Sequence, residues 1–281
     1  TYDTGNNALT IEEGNLSVSG TLLLNNATVV VSDNSSALSI SNTGIVTCVN
    51  TNLTVNAVSL GQGNFTAPSA SGSFIIDGEK DGLAFDYDGN GFVHNSGTID
   101  IRTQDTTLID FTPNSAADID INNVIINHAS CIATLPSAGG IGGDLTITAG
   151  TLDCAGYDLS VGSIKIEDGA EFRASSGTTT ITSHASNWTL KNEETDGTGY
   201  VHNNGTLAIE TNAESLRIDH GGSELNNLKI GKASGADDCW VSYQTGLVIL
   251  GNLDLLYHGN FTMYGDSNTI VVHGNTSIAA R

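Results

Sequence analysis

Residues Gly143–Ser183 read GDLTI-TAGTLDC-AGYDLSV-GSIKIED-GAEFRAS-SGTTTITS. The triplets Leu145-Thr-Ile147, Leu152-Asp-Cys154, Leu159-Ser-Val161 and Ile164-Lys-Ile166 each place one polar residue between two apolar ones. That period of two is the mark of a strand with one face buried. Between triplets stand two to four residues, Gly, Ala, Asp and Ser among them, too few to hold the helical crossover of a βαβ unit. Two all-β architectures are compatible with such a pattern: tandem β-sandwiches and a parallel β-helix. Three such strands make a coil of roughly 20–24 residues, the unit expected of a solenoid. The even spacing, with aromatics only 6% of the chain, favours a right-handed parallel β-helix with about three strands per coil.

The same alternation runs through the rest of the chain, for example at Leu9/Ile11, Val29/Val31, Leu38/Ile40, Leu53/Val55, Ile99/Ile101, Leu207/Ile209 and Leu253/Leu255. No segment has the period of an amphipathic helix. A second, longer repeat lies above the coil. GFVHNSGTIDIR at Gly91–Arg102 returns as GYVHNNGTLAIE at Gly199–Glu210, with His94 and His202 108 positions apart. Asn64–Ala67 (NFTA) matches Glu171–Ala174 (EFRA), and Cys48-Val-Asn-Thr-Asn-Leu-Thr-Val matches Cys154-Ala-Gly-Tyr-Asp-Leu-Ser-Val. Downstream, NNVIINHASC at Asn122–Cys131 answers NNLKIGKAS at Asn226–Ser234. The order of matches is kept, so the chain is an internal duplication with a period of about 107 residues. The expected organisation is a partial copy over 1–43, a first repeat over 44–149, and a second repeat with a C-terminal extension over 150–281.

Composition narrows the function classes. Thirty-one acidic residues against nine basic ones leave a net charge of −22, which argues against nucleic acid and anionic membrane surfaces as partners. No apolar run reaches the ~20 residues of a membrane-spanning helix, so no membrane insertion is expected. No leader opens the segment, so any secretion signal has been removed or lies outside it. The four cysteines are too few to staple a fold of this size. Cys131 and Cys154 stand about one coil apart and read either as neighbours in adjacent coils or as small buried hydrophobes. The nine Asn-x-Ser/Thr sequons follow from a composition rich in Asn, Ser and Thr.

The phrases GDLTITAGTLDCAGYDLSV, SGTTTITS, NWTLKN and YVHNNGTL resemble repeats of long structural proteins of marine and environmental phages, and of some bacterial surface adhesins. The resemblance spans about Gly143–Glu210 closely and Cys48–Ala133 loosely. It implies an extracellular or virion-borne β-rich fibre, and its motifs carry no catalytic residue across. With the alternating pattern running from Ala8 to Ile278 and no capping helix, the segment is expected to be an excerpt of a longer chain or to stack on neighbours.

Candidate chemistry is sparse. Asp86-Tyr-Asp88-Gly-Asn90-Gly91 resembles the opening of a calcium loop, with oxygen donors at alternate positions and a Gly for the turn. The twelfth position, where an EF-hand has Glu, is Gly97, and no helices flank the loop. A solvated Asp/Gly turn explains the same residues more simply. If a calcium ion binds, its ligands are Asp86, Asp88 and Asn90, joined by Asp81. No cofactor is required. His94 and His202 are expected on turns beside Asn95 and Asn203, bonding to backbone.

Lyase or hydrolase chemistry needs a cation with a base, or two close carboxylates. The basic residues are spread singly along the sequence, and the pairs Asp86/Asp88 and Asp118/Asp120 are framed by no motif, so no catalytic residue is assigned. Trp188, Tyr200, Trp240, Tyr243, Tyr257, Phe261 and Tyr264 enrich the last third in rings that either fill the core or contact a cell-surface glycan. The expectation is a non-enzymatic fibre module that associates with itself or other fibre subunits. The alternatives are a stalk of a cell-surface filament or adhesin, and a carbohydrate-active β-helix enzyme.

Overall fold

The computed structural model describes the chain except for residues 88–90, 113–120, 183–187, 212–214, 232–238, 244–245, 258–260, 266–268 and 281. All regular secondary structure among the described residues is β-strand. The strands wind into about ten coils, and every strand-to-strand pairing described is parallel. This is a parallel β-solenoid. Sandwiches are excluded, because their sheets are built from antiparallel strands.

The chain divides into two compact units, Thr1–Gly142 and Gly143–Arg281, and the division falls inside the strand Gly139–Asp153. In the first unit one ladder stacks Leu9–Ile11, Thr28–Val31, Asn52–Val55, Ser73–Ile76, Thr98–Ile101 and the start of Asn123–Thr134. A second ladder stacks Tyr2–Asp3, Thr21–Asn25, Ile45–Val49, Asn64–Thr66 and Phe92–Val93. The third stacks Leu16–Val18, Leu38–Ile40, Val58–Leu60, Leu83–Tyr87, Thr106–Ile109 and the end of Asn123–Thr134. The second unit repeats the plan. One of its ladders, for instance, runs through Leu159, Thr179, Leu207, Leu228, Leu253 and Thr276.

The alternation read from the sequence becomes an inward column at every step. Val29, Leu53, Phe74, Ile99 and Val124 are successive register partners, and all are buried. Two residues on, Val31, Val55, Ile76, Ile101 and Ile126 form a parallel column, also buried. Each such side chain stabilises the fold by about 1.5–3 kcal/mol relative to exposure. Coil length departs from the expected 20–24 residues. Leu159 pairs with Thr179, a step of 20, whereas Thr179 pairs with Leu207, a step of 28. Among the described residues, part of the extra length lies between the strands Leu190–Asn192 and Tyr200–Val201, where length does not disturb the stack.

The duplication is visible in the core. Phe65 and Phe92 are register partners with ring centroids 5.7 Å apart, and Phe172 and Tyr200 repeat the pair at 5.8 Å. The first unit extends its pair into a cluster with Phe74, Phe85, Tyr87 and Phe111.

Candidate functional site

In the first unit the strand Leu83–Tyr87 turns Ala84, Phe85 and Tyr87 inward and leaves Asp86 half-buried on the outer face. Asp86 is in register with Ser59, which is in register with Ser39, which is in register with Ser17. The Ser59 hydroxyl donates to Asp86 Oδ2 at 3.3 Å. Beside this row the chain makes a two-residue turn at Asp81-Gly82, closed by Lys80 N–H to Leu83 O at 2.8 Å and Leu83 N–H to Lys80 O at 2.9 Å. Both turn residues have left-handed backbone, φ 54° and 84°, which is the type I′ arrangement that Asp-Gly supplies most readily. Lys80 Nζ reaches Asn15 Oδ1 at 3.0 Å.

A cleft of about 240 Å³ results, with Ser39, Ser59 and Asp86 on its floor and Lys80, Asp81 and Leu83 on one side. Its ammonium, carboxylates and hydroxyls are hydrogen-bonding groups suited to a polyhydroxylated ligand. Asp81 and Asp86, two of the expected calcium ligands, both line this cleft. Asp88 and Asn90, the other two expected calcium ligands, lie outside the described residues, as do Asp118 and Asp120. Among the described residues no three His, Cys, Asp or Glu side chains gather into a metal site. In the second copy of this loop, Asp196 Oδ1 accepts from Thr198 N–H at 3.0 Å and from the Thr198 hydroxyl at 2.6 Å. The Thr198 hydroxyl in particular holds the Asp196 carboxyl below the usual carboxylate range.

Both histidines stand where the sequence places them. His94 Nδ1 accepts from Ser96 N–H at 2.8 Å, and His202 Nδ1 from Asn204 N–H at 2.9 Å. Asn95 and Asn203 each donate a side-chain N–H to a carbonyl of an earlier coil, Ala67 O at 3.3 Å and Ala174 O at 2.8 Å. The imidazoles are turn-formers. Cys48, Cys131 and Cys154 are free and buried. Burial pushes their thiols up to about 12, 11 and 12 respectively, so they are core hydrophobes and not nucleophiles.

Two of the basic residues scattered in sequence meet in space, and most of the other described ones pair with carboxylates. Lys165 and Lys191 are register partners on adjacent coils. Lys165 reaches Glu167 at 2.8 Å and Glu193 at 3.5 Å, and Lys191 also pairs with Glu193. Arg102 pairs with Asp100, Arg173 with Glu171 and Asp153, and Lys229 with Glu210. Of the aromatic residues singled out in the last third, Tyr200 is buried in the core and Trp188 is half-buried on the outer face. The side chains of Trp240, Tyr243, Tyr257, Phe261 and Tyr264 lie outside the described residues. Ser39 and Ser59 escaped the sequence reading, although one signal marks them: each is the middle residue of an apolar-Ser-apolar triplet, in LSI and VSL, one coil apart.

No protein-family model, no curated protein and no solved structure matches this chain.

Proposed function

We propose that this chain is a non-enzymatic structural and adhesive module of an extracellular fibre, most simply a phage tail fibre or related virion appendage. The observation that carries the reading is the duplicated coil corner. The same His-Asn-x-Gly turn, with the same imidazole-to-backbone bond and the same asparagine bond to an earlier coil, is built once in each unit. A module multiplied in this way serves extension, because backbone hydrogen bonds along stacked strands add stiffness with every coil. The outward-facing residues then provide the surface for self-association, for other fibre subunits and for a cell-surface glycan. The resemblance to phage structural repeats and surface adhesins supports a position on a virion or outside a cell.

Negative-stain microscopy of the purified protein tests the reading. Trimeric spikes or end-to-end polymers support it, and compact monomers that never associate argue against it. Immunogold labelling of virions, as against cell surfaces, separates the tail-fibre reading from a stalk of a cell-surface filament. Turnover of any polysaccharide by the purified chain would replace both with a carbohydrate-active enzyme. The calcium reading of Asp86, Asp88 and Asn90 has its own test: a melting temperature unmoved by EDTA reduces the loop to a turn.

A further inference from the structure

In the second unit Trp188 stands ahead of the strand Leu190–Asn192, and two cations lie against its ring. The Arg217 guanidinium carbon is 4.1 Å from the ring centroid, and Lys191 Nζ is 5.5 Å from it. The backbone holds this arrangement. Thr189 N–H donates to Arg217 O at 3.0 Å, and Arg217 N–H donates to the Thr189 hydroxyl at 3.3 Å. The ring and the guanidinium therefore come from adjacent coils locked in register. Lys165 continues the row of cations on the coil beyond Lys191.

Arg217 differs from most of the other cations; Lys80, the other described one outside an ion pair, donates to Asn15 Oδ1 at 3.0 Å. Among the described residues Arg102, Lys165, Arg173, Lys191 and Lys229 each have a carboxylate within ion-pair distance, while Arg217 rests on the indole without one. An arginine held over an indole by cation–π attraction still has its planar set of N–H donors to offer an acceptor. In a chain of net charge −22, an arginine held this way, with Lys191 on the same ring, locally relieves the prevailing negative field.

We propose that Trp188, Arg217 and Lys191 form a binding subsite for a carboxylate-bearing sugar of an acidic glycan. Arg217 takes the carboxylate through two parallel N–H bonds, Lys191 adds charge, and the exposed part of the indole packs on the sugar's C–H groups. The sparse charge of such a glycan suits this chain better than duplex nucleic acid, whose phosphates place one charge per ~1.7 Å against a strongly anionic protein. The inference rests on the attachment half of the role proposed above. The two fail separately, since binding is read on the isolated chain and the fibre reading on assembly.

Isothermal titration of the full chain at low salt with a galacturonate hexamer tests it, with a neutral glucose hexamer and a deoxythymidine oligomer as comparisons. The galacturonate hexamer is expected to bind and the comparisons to bind at least about tenfold more weakly, a difference of about 1.4 kcal/mol. Arg217→Gln and Trp188→Ala are each expected to weaken binding at least about tenfold. Glu193→Gln, which frees Lys191 of its carboxylate partner, is expected to bind at least as tightly as the native chain. Circular dichroism confirms that each variant is folded. Arg217→Lys, which keeps the charge without the planar fork, guards against a folding defect and is expected to fall between native and Arg217→Gln. Absence of binding by the native chain overturns the proposal, as does native affinity in Arg217→Gln or Arg217→Lys. Equal affinity for the thymidine or glucose oligomer overturns the assignment to acidic sugars.

Discussion

At the scale of single residues, the coil corners impose the strictest demands. Asn95, Ser96, Asn203 and Asn204 have φ of 49°, 57°, 46° and 62°, a region that Asn tolerates better than most residues. Gly97 and Gly205 follow, and a Cβ added there would stand 2.1 Å from Pro68 O and 1.9 Å from Ser175 O. Gly97→Ala and Gly205→Ala are therefore expected to destabilise by more than about 1 kcal/mol, the opposite of the usual gain from removing a flexible glycine. Urea titrations of the two variants against the native chain measure it. The thiols give a second expectation. Attack needs the thiolate, and burial holds Cys48, Cys131 and Cys154 up to about 12, 11 and 12. At pH 8 the ionised fraction is on the order of one part in a thousand or less. Peptide mapping after alkylation should find these three labelled only when the chain is unfolded first.

At the scale of elements, the outer face of the ladders is where charges meet. Lys191 foremost, then Lys165, holds the Glu193 carboxyl below its ordinary range, and Glu167 chiefly holds the Lys165 ammonium above its own. A carboxyl depressed by folding stabilises above its unfolded value and loses that contribution as pH falls through the folded one. A raised lysine contributes below its unfolded value and loses its share as pH rises through the folded one. Glu193→Gln is thus expected to lower stability at neutral pH by less than about 1 kcal/mol, the ordinary range for exposed pairs. It should converge with the native chain in acid, and melting temperatures from pH 3 to pH 7 test this. Elements of this kind were legible in part. The triplet Ile164-Lys-Ile166 announces an outward lysine, but its meeting with Lys191 depends on a coil of 26 residues whose turns have no rule in the sequence. That Asp81 and Asp86 line one cleft was legible because only five positions separate them.

At the scale of the whole chain, repetition governs energetics. Each coil contacts its neighbours, so stability is close to a sum of coil terms and interfaces between adjacent coils. Ile101 is buried between its register partners Ile76 and Ile126. Ile101→Ala is expected to cost about 2–5 kcal/mol and to act locally. Hydrogen exchange should accelerate first in Ser73–Ile76, Thr98–Ile101 and the start of Asn123–Thr134, with the strands of the second unit the last to respond. A uniform acceleration across both units would show one cooperative block instead of a chain of coils. The charge of −22 belongs to this scale too: it keeps repeated β surfaces soluble and apart from polyanions, while the paired lysines and arginines relieve it locally.

The amino-acid sequence alone determined the all-β class and the duplicated corner, and favoured the parallel coil over tandem sandwiches, which the parallel pairing of the strands then excluded. The class and the coil are written in short-range signals, a period of two and turns too brief for a crossover, and the corner in a phrase that returns 108 positions on. Tertiary structure alone decided which side chains from different coils share a surface, as in the Ser39–Ser59–Asp86 row, the Lys165–Glu193–Lys191 ladder and the Trp188–Arg217 stack. Those contacts form between residues 20 to 29 positions apart, and a single residue more or less in any turn, or a slip of one position in a strand, would hand each of them to a different neighbour.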